Sequence, residues 1–128
     1  MKRIVKKYAI RATVEKVWSA LVEPALIERW GAGPGAVMDE QPGTAFRLWG
    51  GEIHGKNLEV DRWKRLVQAW YSGDWDEPSV VTFALSEKNG VTSVVLTHTN
   101  VPDDEAESIG EGWDEYYMYP LKELAERM

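Results

Sequence analysis

Read for its apolar positions, the chain changes period three times. Over residues 2–11 the alternation places Ile4, Tyr8 and Ile10 on one side of an extended strand. The next stretch, TVEKVWSALVEP, sets Val14, Val17, Trp18 and Leu21 at helical spacing, with Thr13 suited to cap the start and Pro24 to end it. PALIERW reads as a second short helix, with proline in its first turn and a stop near Gly31. GAGPG at 31–35 is a loop. From QPG at 41–43 the punctuation is that of antiparallel strands. Phe46 and Leu48 share one face, and Arg47 and Trp49 take the other. Gly50, Gly51 and Gly55 mark a turn and a place where the sheet can curve. HGKNLEVDRW and RLVQAWY supply two more strands. Lys88-Asn89-Gly90, between VVTFALSE and VTSVVLTHT, is the clearest hairpin signal in the chain.

After Val101-Pro102 the period returns to 3.6, and a final helix is predicted to begin there, with Asp103 and Asp104 in its first turn. Its buried stripe reads Ile109, Trp113, Tyr116, Tyr117, Pro120, Leu121 and Leu124, with Glu107, Glu111 and Glu115 on the solvent side. Pro120 removes one helix hydrogen bond and predicts a bend. One strand, two short helices, a run of strands and a long helix make an α+β fold, in which that helix covers one face of the sheet.

Taken together, ATVEKVWSALVEPALIERW, QPGTAFRLWG, RLVQAWY, VTSVVLTHT and GWDEYYMYPLKELAE resemble a START-type domain of the SRPBCC superfamily. More narrowly, the chain is similar to the C-terminal domain of the activator of the ninety-kilodalton heat-shock chaperone's ATPase. The pieces occur in family order over nearly the whole chain, so residues 1–128 are expected to form one such domain. The co-chaperone carries a further N-terminal domain, which these 128 residues are not expected to include. The resemblance implies a helix-grip fold: a curved antiparallel sheet around a long C-terminal helix, two short N-terminal helices, and a cavity between sheet and helix. Relatives of this kind include lipid carriers, allergens that bind small aromatic ligands, polyketide cyclases and co-chaperones. Function has to be argued from the site.

Composition narrows the field. The net charge of −6 disfavours phosphate backbones, so no nucleic-acid role is expected. No apolar run is long enough to insert in a membrane, and the basic opening reads as a strand rather than a leader. The absence of cysteine excludes thiolate chemistry, and a cytoplasmic location is the default expectation. Charge is uneven: Lys2, Arg3, Lys6, Lys7 and Arg11 open the chain, and seven acids crowd residues 103–115. The two histidines give no metal-ligand spacing, and no cofactor fingerprint occurs, so neither metal nor cofactor is expected.

What stands out is aromatic content, seven Trp among 128 residues. Trp and Tyr make large apolar walls with a polar tip, suited either to filling a wide core or to lining a cavity. The expected lining is Trp30, Phe46, Leu48, Trp70, Phe83, Leu85, Leu96, His98, Trp113, Tyr116 and Tyr117. His98, in register with Val94 and Leu96, is a weak catalytic candidate and fits a satisfied core histidine better. His54 is expected at the surface. Three readings follow, in order: a module holding a small lipophilic ligand, a co-chaperone-like domain with a chaperone as protein partner, and a cyclase-like enzyme using His98.

Overall fold

The computed structural model describes residues Met1–Met128. β1 (Lys2–Ile10) leads into α1 (Val14–Val22) and α2 (Pro24–Trp30), and five strands follow: β2 (Ala45–Leu48), β3 (Ile53–Asp61), β4 (Arg65–Ser72), β5 (Ser79–Lys88) and β6 (Val91–Val101). Their order, β1-β6-β5-β4-β3-β2, is one antiparallel sheet in which β2 to β6 are sequential neighbours and β1 closes the far edge. Local chemistry dictates much of this. The Thr13 hydroxyl accepts the Lys16 amide at the start of α1, and Gly31 ends α2 with φ +121°. Asn89 and Gly90 both take positive φ, the requirement of the tightest β-hairpins.

Alternation then sends one set of side chains to the concave face. Ile10, Phe46, Leu48, Leu66, Phe83 and Leu96 are completely or almost completely buried there. Gly50 and Gly51 form the expected turn with positive φ, while Gly55 lies inside β3, opposite Trp70. A Cβ on Gly55 would stand 1.8 Å from the Ala69 carbonyl oxygen and 2.9 Å from Phe46 Cε2, so only glycine lets the strands meet there.

The C-terminal helix departs from the expected pattern in two ways. Residues 103–105 form a turn, closed by the Glu105 amide on the Pro102 carbonyl, and α3 begins only at Ala106. Between α3 (Ala106–Gly112) and α4 (Tyr119–Arg127), residues Trp113–Met118 form a π-helical segment in which the Tyr119 amide bonds five residues back, to Asp114. The wide turn absorbs one extra residue. It moves the buried stripe to Trp113, Tyr117, Met118, Leu121 and Ala125, and leaves Tyr116 65% exposed, contrary to its expected burial. Pro120 falls in the first turn of α4, directly after the π segment.

Candidate functional site

The helix lies across the concave sheet, but the fit is uneven. At one end α1 and α2 pack against α4, and Trp18, Leu21 and Ile27 are buried. At the other, beneath the π segment, a recess of about 270 Å³ remains. Its walls are Trp70 and Ser72 of β4, Ile53 of β3, Ile109 and Gly112 of α3, and Trp113, Tyr116 and Tyr117 of the π segment. Trp49 and Glu52 complete it from the turn after β2. Five of these ten residues are aromatic, and Glu52 alone carries a charge.

The rings form one connected cluster. Trp113 stands 4.7 Å from Tyr117 and 5.4 Å from Trp70, centroid to centroid. Tyr117 is 4.7 Å from Trp30 and 6.0 Å from Trp49. Phe83 supports Trp113 and Tyr117 at 5.8 and 5.9 Å. Tilted and edge-on pairs at these spacings each add roughly 0.5–1.5 kcal/mol beyond burial. Burial also pushes the Tyr117 hydroxyl well above the usual phenol range, so it stays protonated.

His98 lies under this cluster, completely buried. An indole N–H can only donate, so the Trp113 Nε1–H, 3.0 Å away, fixes His98 Nδ1 as an acceptor. The proton of the neutral ring is then on Nε2, which donates to Ser79 Oγ at 2.7 Å. Ser79 in turn donates to the Trp70 carbonyl at 2.7 Å. Every member of this chain is satisfied in one direction. Burial pushes the His98 pKa down to about 4. With both ring nitrogens engaged, neither is free to take a proton from a substrate, and the geometry assigns His98 to holding Trp113 and Trp70 in place.

The expected lining residues therefore divide. Trp70, Trp113, Tyr116 and Tyr117 border the recess. Trp30, Phe46, Leu48, Phe83, Leu85 and Leu96 form the packed core around and beneath it, and His98 is buried among the polar groups there. Trp49, Glu52 and Ile53 join the walls without having been read from the pattern. Strict alternation sends Trp49 outward, but Trp49, Gly50 and Gly51 all have positive φ, and this left-handed turn brings the indole back against Trp30 at 6.1 Å. Tyr116 stands at the mouth. Trp70 Nε1–H is buried with no partner.

Outside the recess, Asp114 clasps β1. It accepts from Tyr8 Oη at 2.6 Å and pairs with Lys6 Nζ at 3.0 Å. Burial opposes its charge, but the Tyr8 and Lys6 hydrogen bonds outweigh that and hold its carboxyl below the usual range. His54 is half-buried rather than exposed, stacked on Tyr71 at 5.2 Å on the opposite face of the sheet. No group of three or more metal-ligating side chains comes together, and no helix is long and apolar enough to cross a membrane.

Comparison with known proteins agrees with this architecture. The chain superimposes on an HSP90 activator from Plasmodium falciparum, PFC0360w, with a TM-score of 0.89, 24% identity, and 97% and 96% of the two chains covered. It superimposes on protein MLL2253 from Mesorhizobium loti with a TM-score of 0.84, 26% identity, and 99% and 98% covered. In sequence it is 24% identical over 123 residues to the human activator of 90 kDa heat shock protein ATPase homolog 1, covering 94% of this chain and 36% of that one. The chain thus spans about a third of the length of the curated relatives it matches, 36% for the first two. The family described as Activator of Hsp90 ATPase homolog 1-like protein matches residues 11–126, nearly the whole chain, and the chain belongs to that family.

Proposed function

We propose that the protein binds a small apolar or amphipathic molecule in the recess between sheet and C-terminal helix. The observation that carries this reading is the recess itself: about 270 Å³, walled by five aromatic rings and a single charged residue. The size lies just below the roughly 300–1,000 Å³ usual for ligand sites, so a compact ligand is favoured over a long-chain lipid. No covalent step is required, since the one buried histidine has both nitrogens engaged. Trp113, Trp70 and Tyr117 supply the contact surface, and the hydrogen-bonded chain through His98 holds the Trp113 indole in position before the ligand arrives, which lowers the cost of binding.

Native mass spectrometry on protein purified gently from a lysate tests this reading. The expected result is a discrete added mass released by organic solvent. Gly112 lines the recess in helical conformation, and a Cβ there meets only Tyr116 Cδ2, at an ordinary 3.8 Å. Gly112→Leu therefore fills the recess while keeping the helix, and the added mass should vanish in that variant. A mass retained by folded Gly112→Leu would place the ligand elsewhere.

Family membership favours a second reading, docking on a chaperone of the 90 kDa heat-shock class, for which a cytoplasmic setting follows. Here the acidic run at 103–115 and the basic β1 would be the contact surfaces. Capture of purified chaperone at low salt and its loss at high salt is the expected result, because exposed charge pairs are screened. Capture that ignores salt would remove the charged surfaces from this reading.

A further inference from the structure

Charge is distributed asymmetrically around the recess. Its lining holds no Lys, Arg or His, and its one charged group, Glu52, stands exposed at the rim. Each of the other carboxylates that meets a base in this fold does so outside the recess, and Glu52 has no such partner. The turn at Gly73, with φ +61°, lies beside the Glu52 carboxylate without crowding it. The ring faces of Trp and Tyr carry negative quadrupole potential, which attracts cations and gives an anion nothing. Beside the rim, Glu105 accepts from the Trp75 indole, whose ring stands 6.3 Å from Trp70, and adds a second carboxylate to the same end of the molecule.

From this arrangement we propose that the ligand is a small lipophilic organic cation, an amine or quaternary ammonium compound. Its apolar body lies against Trp70, Trp113 and Tyr117, and its charged head remains at the mouth, where Glu52 and the exposed Tyr116 stand. A carboxylate-bearing ligand such as a fatty acid would bring an anion to a site with one carboxylate and no base. The proposal rests on the ligand-binding reading above and goes further by fixing the sign of the charge.

A matched set of probes separates the two claims. Benzyltrimethylammonium, neopentylbenzene (its neutral carbon-for-nitrogen isostere) and phenylacetate can each be titrated into the full chain. Binding is read from the indole N–H resonances of Trp70 and Trp113. The cation is expected to bind about tenfold more tightly than the neutral isostere at low salt, and phenylacetate most weakly. Glu52→Gln lies on the exposed rim and should keep the fold, while bringing cation and isostere to near parity. Equal affinity for cation and isostere in the unaltered protein, unmoved by Glu52→Gln, would overturn the cation proposal and leave the recess as a neutral site. No movement of the Trp70 and Trp113 resonances with any of the three probes would overturn the recess as a ligand site altogether.

Discussion

The two ends of the sheet–helix layer are built from the same residue types and reach opposite results. At the closed end, Trp18 and Trp30 are buried and each has its indole N–H satisfied, by Glu40 Oε1 at 2.7 Å and by the Ala20 carbonyl at 2.9 Å. Regular α-helices there bury Ala20, Leu21 and Ala125 completely or almost completely, and the groove beside α1, lined by Glu15, Glu23, Glu40 and Arg62, is mostly polar. At the open end Trp70 and Trp113 are equally buried, yet Trp70 Nε1–H has no partner and a recess remains beside the rings. Aromatic residues do not by themselves make a cavity. What differs is the backbone above them, a regular helix at one end and a widened turn at the other.

If that contrast is right, mutations should sort by end. The largest effect is expected from Leu21→Ala at the closed end, where the side chain is completely buried. A loss of about 2–5 kcal/mol in urea unfolding is expected. A loss under about 1 kcal/mol would mean that this end is as loosely packed as the other.

Second in size is a pH effect at the open end. His98 has a pKa of about 4 in the folded chain against an ordinary 6.5, so the unfolded chain takes up the proton first as pH falls. Stability from this group is complete above pH 6.5 and declines as pH falls toward 4, by at most about 3 kcal/mol. The urea midpoint followed across that window should slope accordingly, and the slope should flatten in His98→Gln whatever the stability of that variant. An unchanged slope in His98→Gln would assign the acid sensitivity to other groups.

Smaller and of opposite sign is Gly112→Ala. Gly112 has helical φ and ψ, and the added methyl meets no crowding. A gain of about 0.5–1 kcal/mol is expected from reduced unfolded-state entropy. A net loss would show that the open end is packed more tightly than its recess suggests. Smallest is Tyr116→Ala. An exposed side chain at the mouth should change stability by no more than about 0.5 kcal/mol, while weakening binding of the probe cation. Unfolding comparable to that of Leu21→Ala would erase the distinction between the two ends.

The closed end was legible in the sequence because its determinants are local. Thr13 caps, Pro24 and Gly31 punctuate, and Asn89-Gly90 turns. The open end was legible only in part. Trp70 follows strand alternation and Trp113 and Tyr117 follow i, i+4 helical spacing, and all three are buried. Met118 and Ala125 were missed and Tyr116 was sent inward, because a 3.6 period was carried across a turn that holds one residue more. Pro120 was the only local hint of that wider turn, and a bent α-helix explains a proline equally well. Trp49 was missed for a related reason. Its inward position depends on a positive φ that glycine announces and tryptophan does not.

The uneven fate of the indole nitrogens gives the molecule its own set of spectroscopic labels. Trp18 and Trp75 donate to carboxylates, Trp30 to a backbone carbonyl, Trp113 to an imidazole, and Trp70 to nothing. Each partner displaces an indole proton resonance by a different amount, so these five protons should be told apart in one proton–nitrogen spectrum. Trp18 then reports on the end packed by α1, Trp70 and Trp113 on the end that holds the recess, and Trp30, in contact with Tyr117 and Trp49, on the boundary between them. Occupancy and folding could thus be followed separately in an unlabelled mixture of ligands, without attaching any dye.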